Sequence, residues 1–198
     1  MPKLEKGPPD RLTDEEAKVV MSLPDPWGFT VRFFISTGLR WGEGCNALRR
    51  DVQNGQLIVP KTKTKSFRRV PLSRAILEEI MRIGGEWIIP RQRKAPGGRA
   101  ARSSSSFNTT IRRLSGKAIA EIPANDRKAL QGLERFHVHQ CRHTFGCRYI
   151  EAGGELLMLK EIMGHSSIEM TLRYARAAER SVREDAQRVH AVWESAAM

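Results

Sequence analysis

The sequence has few cysteines and aromatic residues, and it has no long apolar run. Its three cysteines, Cys45, Cys141 and Cys147, are an odd number without the spacing of a disulfide framework. No apolar stretch approaches the roughly 20 residues that cross a bilayer, and the first residues do not form a signal peptide. These absences argue against a disulfide-stabilised secreted domain and against an integral membrane protein, and they predict a reducing, cytoplasmic setting.

Acidic residues are also scarce relative to basic ones. The 198-residue chain has 34 Lys and Arg against 22 Asp and Glu, which gives a formal net charge of +12. An excess of this size favours a polyanionic partner, and inside cells the commonest one is nucleic acid. A membrane surface would require a basic amphipathic helix with bulky apolar residues opposite, and the sequence contains no convincing example.

The apolar pattern predicts a mostly α-helical α+β fold in a single domain. Thr13 and Glu16 form a capping box at the start of a first helix. A second, apolar helix, FTVRFFISTG, ends near Gly38, and further helices start at Ser73 and within NTTIRRLSGKAIAEI. Between them, QLIVPKTKTKSFRRVPL is rich in β-branched residues and predicts a pair of strands around a basic turn.

Two basic segments stand out, namely this strand turn and the stretch 91–113. The second has seven basic residues and no acidic one, around a small-residue run, APGGRAARSSSS, that predicts a mobile loop. Lysine-rich edge strands can serve only to block aggregation, and a basic run is often merely solvated. Given the net charge, we interpret both as DNA-backbone contacts. The assigned residues are Lys61, Lys65, Arg68, Arg91, Arg93, Lys94, Arg99 and Arg102.

The segment from His139 to Tyr174 carries the candidate chemistry. A helix over HQCRHTFGCRYIEA sets His139 and Arg142 on one face, since three residues are close to one turn. Gly153-Gly154 ends this helix, and a second one, ELLMLKEIM, stops at Gly164. His165 then opens a turn into a third helix that carries Tyr174, so two histidines, an arginine and a tyrosine come together.

These residue types point to phosphoryl transfer onto tyrosine. A tyrosine hydroxyl is a nucleophile that needs a nearby base, an arginine fork suits a phosphate, and a histidine moves protons near neutral pH. A tyrosine on a helix is nevertheless more often a half-buried core residue, and His139 and His143 could flank a core face. A metal site at His137, His139, Cys141, His143 and Cys147 is disfavoured because no C-x-x-C pair is present.

A second arginine, Arg40, stands three residues before Glu43 at a predicted turn into a short helix. An exposed ion pair at this spacing is worth about 0.5 kcal/mol and need have no function. The functional interpretation is an arginine that a carboxylate supports at the start of a helix.

Five motifs in this order, TGLRWGE, RRVPLS, HQCRHTF, MGHSSI and TLRYARA, resemble the catalytic domain of the tyrosine recombinase, or phage integrase, family. The resemblance extends from Leu12 to about Arg176, with His165 nine residues before Tyr174. It implies an α+β, mostly α-helical fold with a small antiparallel sheet at one edge. It departs from the family at Cys141, where leucine is usual, and at Arg176, where histidine is frequent.

The resemblance implies a role for each matching residue. Arg40 and Arg142 hold the scissile phosphate, and Glu43 supports Arg40. Tyr174 is the nucleophile, His139 assists with its proton, and His165 bonds the phosphate. The general acid is Lys63, with Lys61 and Lys65 as alternatives.

The resemblance further implies a site-specific recombinase that acts on double-stranded DNA through a 3′-phosphotyrosine, without cofactor or metal, in a bacterial cell or phage-infected host. It implies a homotetramer on DNA and allows a monomer alone. Residues 1–11 are expected to be an interdomain linker remnant, 12–180 the catalytic domain, and 181–198 a helical tail that packs on its own domain or in trans. Three alternatives stay open: strand relaxation like that of a type IB topoisomerase, a DNA-binding module that is inactive without an N-terminal domain, and a structural or partner-binding protein whose DNA affinity would depend little on salt.

Overall fold

The computed structural model describes residues 9–60, 67–90 and 103–177. These residues are mostly helical, as the apolar pattern predicts, and none of their helices is both long and apolar enough to span a membrane. The α-helices are α1 (Asp14–Met21), α2 (Trp27–Thr37), α3 (Trp41–Cys45), α4 (Arg74–Ile83), α5 (Ser104–Ala120), α6 (Ala124–Arg127), α7 (His139–Glu151), α8 (Leu156–Met163) and α9 (Glu169–Ala177), with 3-10 turns at Arg49–Asp51 and Lys128–Arg135.

A small antiparallel sheet in the order β1-β2-β3 is formed by β1 (Val52–Gln53), β2 (Gln56–Pro60) and β3 (Phe67–Pro71). The predicted strand pair is confirmed, with Leu57 opposite Val70 and Pro60 opposite Phe67. The two-residue strand β1 is too short for the sequence pattern to predict. Residues 61–66, which join β2 to β3, lie outside the described ranges.

The core is built around α2, whose phenylalanines are almost completely buried. Around it an aromatic cluster joins distant parts of the chain. Trp41 lies 5.3 Å from Phe34 and 4.9 Å from Phe107, measured between ring centroids. Such pairs add to the free energy of burial by about 0.5–1.5 kcal/mol each. They fix α3, which follows Arg40, against the core.

Residues 10–14, which we call the N-terminal strap, run along α7. The strap makes a hydrogen bond or ion pair near each end of α7 and at its middle, so it holds the whole length of the helix. Its contacts are Asp10 with His137 (3.0 Å) and Gln140 (3.1 Å), Leu12 N–H with Thr144 Oγ1 (3.0 Å), Asp14 with Arg148 (2.6 Å), and Arg11 with Glu151.

Two helical segments differ from the sequence prediction. Helix α5 begins at Ser104, capped by Ser103, so the predicted loop and helix start are wrong over four residues. Ser103 Oγ accepts from the Ser105 N–H at 3.2 Å, which starts the helix inside a serine run that composition alone assigned to a loop. The polar connection after Pro123, for which the sequence pattern gave no helix, contains α6 and a 3-10 turn. Residues 91–102 and 178–198 lie outside the described part of the chain.

Gly38 ends α2 in the left-handed conformation, with φ of +62°. A Cβ at this position would overlap the Phe145 ring of α7. We therefore expect Gly38→Ala to lower the free energy of unfolding by about 2 kcal/mol or more, because left-handed strain and overpacking add. Urea denaturation followed by circular dichroism measures the difference.

Gly116 provides the matched control, since it lies exposed in α5 and a Cβ there would meet no atom within 4 Å. Gly116→Ala should raise the free energy of unfolding by about 0.5–1 kcal/mol. Equal urea midpoints for the two variants would show that Gly38 does not constrain the turn.

Candidate active site

Tyr174 lies on α9 and is buried against α7, with only 1% of its surface exposed. The absence of a side chain at Gly146 makes room for its ring, since a Cβ there would lie 2.6 Å from the tyrosine Cε1. The tyrosine hydroxyl is 3.0 Å from Nδ1 of His143, which lies one turn before Gly146 on α7. The candidate nucleophile therefore rests in a fitted slot with a hydrogen-bond partner.

His165 lies beside Tyr174 with the two rings nearly parallel, at a centroid distance of 6.1 Å and an interplanar angle of 4°. It follows Gly164, whose φ of +65° ends α8 and turns the chain toward α9. Its Nδ1 is 2.8 Å from the Thr171 hydroxyl. The turn between α8 and α9 thus orients the histidine, and Thr171 fixes its ring.

Arg142 lies on α7 and is buried, with 2% of its surface exposed. Its guanidinium donates to the carbonyl of Gly38 at 2.5 Å and to that of Met163 at 2.8 Å. Burial, followed by the positive charge of Arg40, lowers the pKa of Arg142 to about 10, so it stays charged at neutral pH. One side chain thus joins the end of α2 to the end of α8.

Arg40 precedes α3 and reaches the same turn from the other side. It donates to the carbonyl of Gly164 at 3.1 Å, and 42% of its side chain remains exposed. Glu43 accepts from the Arg40 backbone N–H at 2.8 Å and pairs with its guanidinium at 3.2 Å. The carboxylate therefore holds both the backbone and the side chain of Arg40, in agreement with the functional interpretation of this pair.

Arg68 was predicted to contact DNA, and its placement corrects that assignment. Its side chain is only 4% exposed and forms an ion pair with Glu43 at 2.8 Å. Its Nε donates to the carbonyl of Ile162 at 2.9 Å. Along β3, Arg68 and Val70 face inward while Arg69 faces outward, so strand alternation directs Arg68 into the protein. Arg68 anchors β3 to α3 and α8.

His139, at the start of α7, is exposed, and its ring meets that of His143 edge-on at 4.6 Å between centroids. Partial burial and then the charge of Arg142 lower its pKa, which keeps the imidazole neutral at pH 7. Burial lowers the pKa of His165 to about 4 in the same way. Both histidines can therefore accept or donate a hydrogen bond without carrying charge.

Burial raises the pKa of Tyr174, and the charges of Arg142 and Arg173 oppose that rise. The hydroxyl is thus a neutral phenol at rest. It lies within the electrostatic influence of the buried arginine on α7 and of the residue just before it on α9. An anion that approaches this cluster would meet the positive charge of these arginines.

The structure brings together five of the predicted site residues around the turn between α8 and α9. Lys61, Lys63 and Lys65, and the basic residues from Arg91 to Arg102, lie outside the described ranges. Within those ranges, no group of three or more His, Cys, Asp or Glu side chains could hold a metal ion. The five site residues that lie together around this turn are Arg40, His139, Arg142, His165 and Tyr174.

Sequence reasoning missed the partners of Tyr174 and His165. His143 was left as a residue flanking a core face, and Thr171 was not considered. A usable signal was present for His143, which lies one turn after His139 on the helix that must face Tyr174. None pointed to Thr171, because its contact with His165 depends on how α9 leaves the turn.

The bridging carboxylate of Glu43 gives a stability prediction. Burial raises its pKa, but hydrogen bonds from Arg68 and Arg40 outweigh burial, so the net pKa lies below its ordinary 4.5. Glu43→Gln leaves Arg68 buried without a carboxylate and should cost about 1–3 kcal/mol of unfolding free energy at pH 7. Because the folded pKa is depressed, this difference is full above pH 4.5 and is lost as the pH falls through the folded pKa.

Urea denaturation at a series of pH values measures this difference. The control is Glu78→Gln, which removes the exposed pair of Glu78 and Arg74 (65% and 93% exposed) and should change stability by less than about 0.5 kcal/mol. Equal effects of the two substitutions at pH 7 would contradict a supporting role for Glu43.

Two curated proteins are similar to this chain in sequence. The integrase of Haemophilus phage HP1 (strain HP1c1) is 32% identical over 152 residues, which cover 76% of this chain and 37% of that protein. The tyrosine recombinase XerA of Pyrococcus horikoshii is 27% identical over 191 residues, which cover 92% of this chain and 62% of that protein. The chain therefore spans less than two thirds of either relative.

Solved structures share the fold. The catalytic domain of bacteriophage HP1 integrase superimposes with a TM-score of 0.58 at 26% identity, covering 89% of this chain and 93% of that chain. The Tn1549 transposon integrase in complex with a circular intermediate DNA gives a TM-score of 0.64 at 19% identity, over 95% and 67%. The model of the phage integrase family matches residues 11–181 of this chain. This match shows that the chain belongs to the phage integrase family, and its fold is that of a tyrosine recombinase catalytic domain.

Proposed function

We propose that this chain is the catalytic domain of a site-specific DNA recombinase, in which Tyr174 attacks a phosphodiester of double-stranded DNA. The observation that supports it most directly is that Arg40 and Arg142 are both anchored on the turn that carries His165, whose ring stacks on Tyr174. Phosphate-binding groups and a nucleophile thus share one small volume.

Stabilisation of the phosphate follows from the chemistry of these groups. Charge builds on the phosphate oxygens as the tyrosine attacks, and preorganised donors lower the barrier without reorganising. The exposed part of Arg40 can reach the DNA, while buried Arg142 supplies charge from below. When the Thr171 hydroxyl donates to Nδ1 of His165, the neutral histidine carries its proton on Nε2, which can donate to the phosphate.

Cleavage forms one bond and breaks another. A bond forms between the Tyr174 oxygen and phosphorus, and the bond to the 5′ oxygen breaks, leaving a 3′-phosphotyrosine and a 5′-hydroxyl. The phenol proton goes to neutral His139, and Lys63 protonates the departing 5′ oxygen. The His139 ring is neutral at rest, so it has a free lone pair that can accept this proton.

Rejoining is the same step in reverse, with a 5′-hydroxyl from a second duplex as the attacking group. The phosphotyrosine keeps the bond energy, so the cycle needs neither a nucleotide nor a metal. Exchange between two duplexes requires four active sites, and we therefore propose a homotetramer on DNA in a bacterial cell or phage-infected host. The net charge of +12 suits this partner.

Covalent trapping on a nicked suicide DNA tests the nucleophile. The DNA carries the natural site, or a fragment of the source element. The unsubstituted chain should give a shifted protein–DNA band on a denaturing gel, and Tyr174→Phe should give none. Tyr149→Phe, the other tyrosine of the chain, is the matched control and should trap as well as the unsubstituted chain.

DNA binding by Tyr174→Phe should remain within about two- to threefold of that of the unsubstituted chain, because a single hydroxyl contributes little to a phosphate-dominated affinity. If the unsubstituted chain traps no DNA even with an N-terminal DNA-gripping domain of a relative fused before it, the chain is a binding module instead. Trapping by Tyr174→Phe would assign another nucleophile.

A DNA in which sulfur replaces the bridging 5′ oxygen identifies the general acid. Lys63→Ala should slow cleavage of ordinary DNA by about 10²–10⁴-fold and cut the sulfur-bridged DNA at nearly the unsubstituted rate, since a thiolate leaves without a proton. Lys61→Ala and Lys65→Ala are the controls and should not be rescued selectively. Rescue of either control and not of Lys63→Ala would reassign the acid.

A further inference from the structure

The contact between Tyr174 and His143 is not used in the step described above, although it is the only hydrogen bond of the tyrosine hydroxyl among the described residues. A buried phenol that donates to nothing costs about 1–3 kcal/mol, so its proton needs an acceptor. Nδ1 of His143, at 3.0 Å, is that acceptor, which assigns the ring proton of His143 to Nε2.

We propose that His143 is a positioning residue for the reaction: its neutral Nδ1 accepts the Tyr174 hydroxyl and thereby fixes where the attacking oxygen lies. The proposal rests on the proposed function. It adds a partner on the attacking side, distinct from the arginines that hold the phosphate and from the lysine that serves the leaving oxygen.

The slot around the tyrosine shows why such a partner is needed. The ring lies over Gly146 of α7, which limits tilting of its plane, but this contact leaves the ring free to shift within that plane and so to move its hydroxyl oxygen. A hydrogen bond removes that freedom. Productive attack depends on alignment, and a misplacement of about 1 Å can cost 10²-fold in rate.

The surroundings of His143 favour a neutral ring that accepts a hydrogen bond over a ring that takes up the proton. Burial, followed by the nearby His139 and Arg173, lowers the pKa of His143 to about 3. A proton taken by His143 would sit among positive groups and return at once. Holding the phenol in place before attack is therefore its contribution, and the phenol proton passes to His139 as the oxygen bonds to phosphorus.

Two substitutions separate positioning from packing. His143→Phe keeps an aromatic ring of similar size and removes the acceptor, so it should slow covalent trapping by about 100-fold. His143→Asn sets an amide oxygen close to the position of Nδ1 and should stay within about tenfold of the unsubstituted rate. Circular dichroism and DNA affinity should be unchanged in both variants.

The sulfur-bridged DNA then assigns the defect to one side of the phosphorus. It should not rescue His143→Phe, because the attacking oxygen is misplaced, whereas it should rescue Lys63→Ala. Rescue of His143→Phe, or trapping at the unsubstituted rate by that variant, would overturn the inference and leave the proposed function standing. No trapping by the unsubstituted chain, even with the N-terminal DNA-gripping domain of a relative fused before it, would overturn both.

The tautomer of His143 can also be measured directly on the unsubstituted chain, without any His143 variant. Long-range ¹H–¹⁵N spectra at pH 7 should show His143 with an unprotonated Nδ1, and Tyr174→Phe should shift that nitrogen signal. A protonated Nδ1 would make the histidine a donor and overturn the proposal.

Discussion

A buried guanidinium whose hydrogen-bond partners among the described residues are backbone carbonyls is the constraint on which the site depends. Arg142 is 2% exposed, and within the described ranges its hydrogen bonds go to two backbone carbonyls. Because an unsolvated charge is costly, the carbonyls of Gly38 and Met163 must stay where they are, which fixes the ends of α2 and α8. The charge itself is solvated by dipoles and not neutralised, so it remains available to an anion at the surface.

The two buried arginines of the site divide the tasks of structure and binding. Arg68 forms an ion pair with Glu43 and donates to the Ile162 carbonyl, so its charge is neutralised while it holds β3 against α3 and α8. Among the described residues, Arg142 hydrogen-bonds to carbonyls only. Arg40, which shares Glu43 with Arg68, keeps a large exposed fraction. The positive potential of the site is thus concentrated near Tyr174 and is not spread over all the arginines around it.

The sequence predicted the helices that carry the site, because glycines at positions 38, 153 and 164 mark their ends. It also contained an unused signal for Arg68, since Val70 and Leu72 face inward and alternation puts residue 68 on the same side. His143 was harder to interpret, because α7 packs against α2, α8 and α9 and also contacts the N-terminal strap, so its apolar pattern has little period. The start of α5 depends on Ser103, one serine among several with the same composition.

The N-terminal strap has a consequence for the order in which the protein is made. Arg11 pairs with Glu151 and Asp10 with His137, partners separated by 140 and 127 residues. Contacts so distant close only after nearly the whole domain has left the ribosome, and topologies of this kind fold slowly. Arg40, which precedes α3, is synthesised 134 residues before Tyr174 on α9. A growing chain that has not yet reached Tyr174 therefore lacks the proposed nucleophile, even after Arg40 and Arg142 have been made.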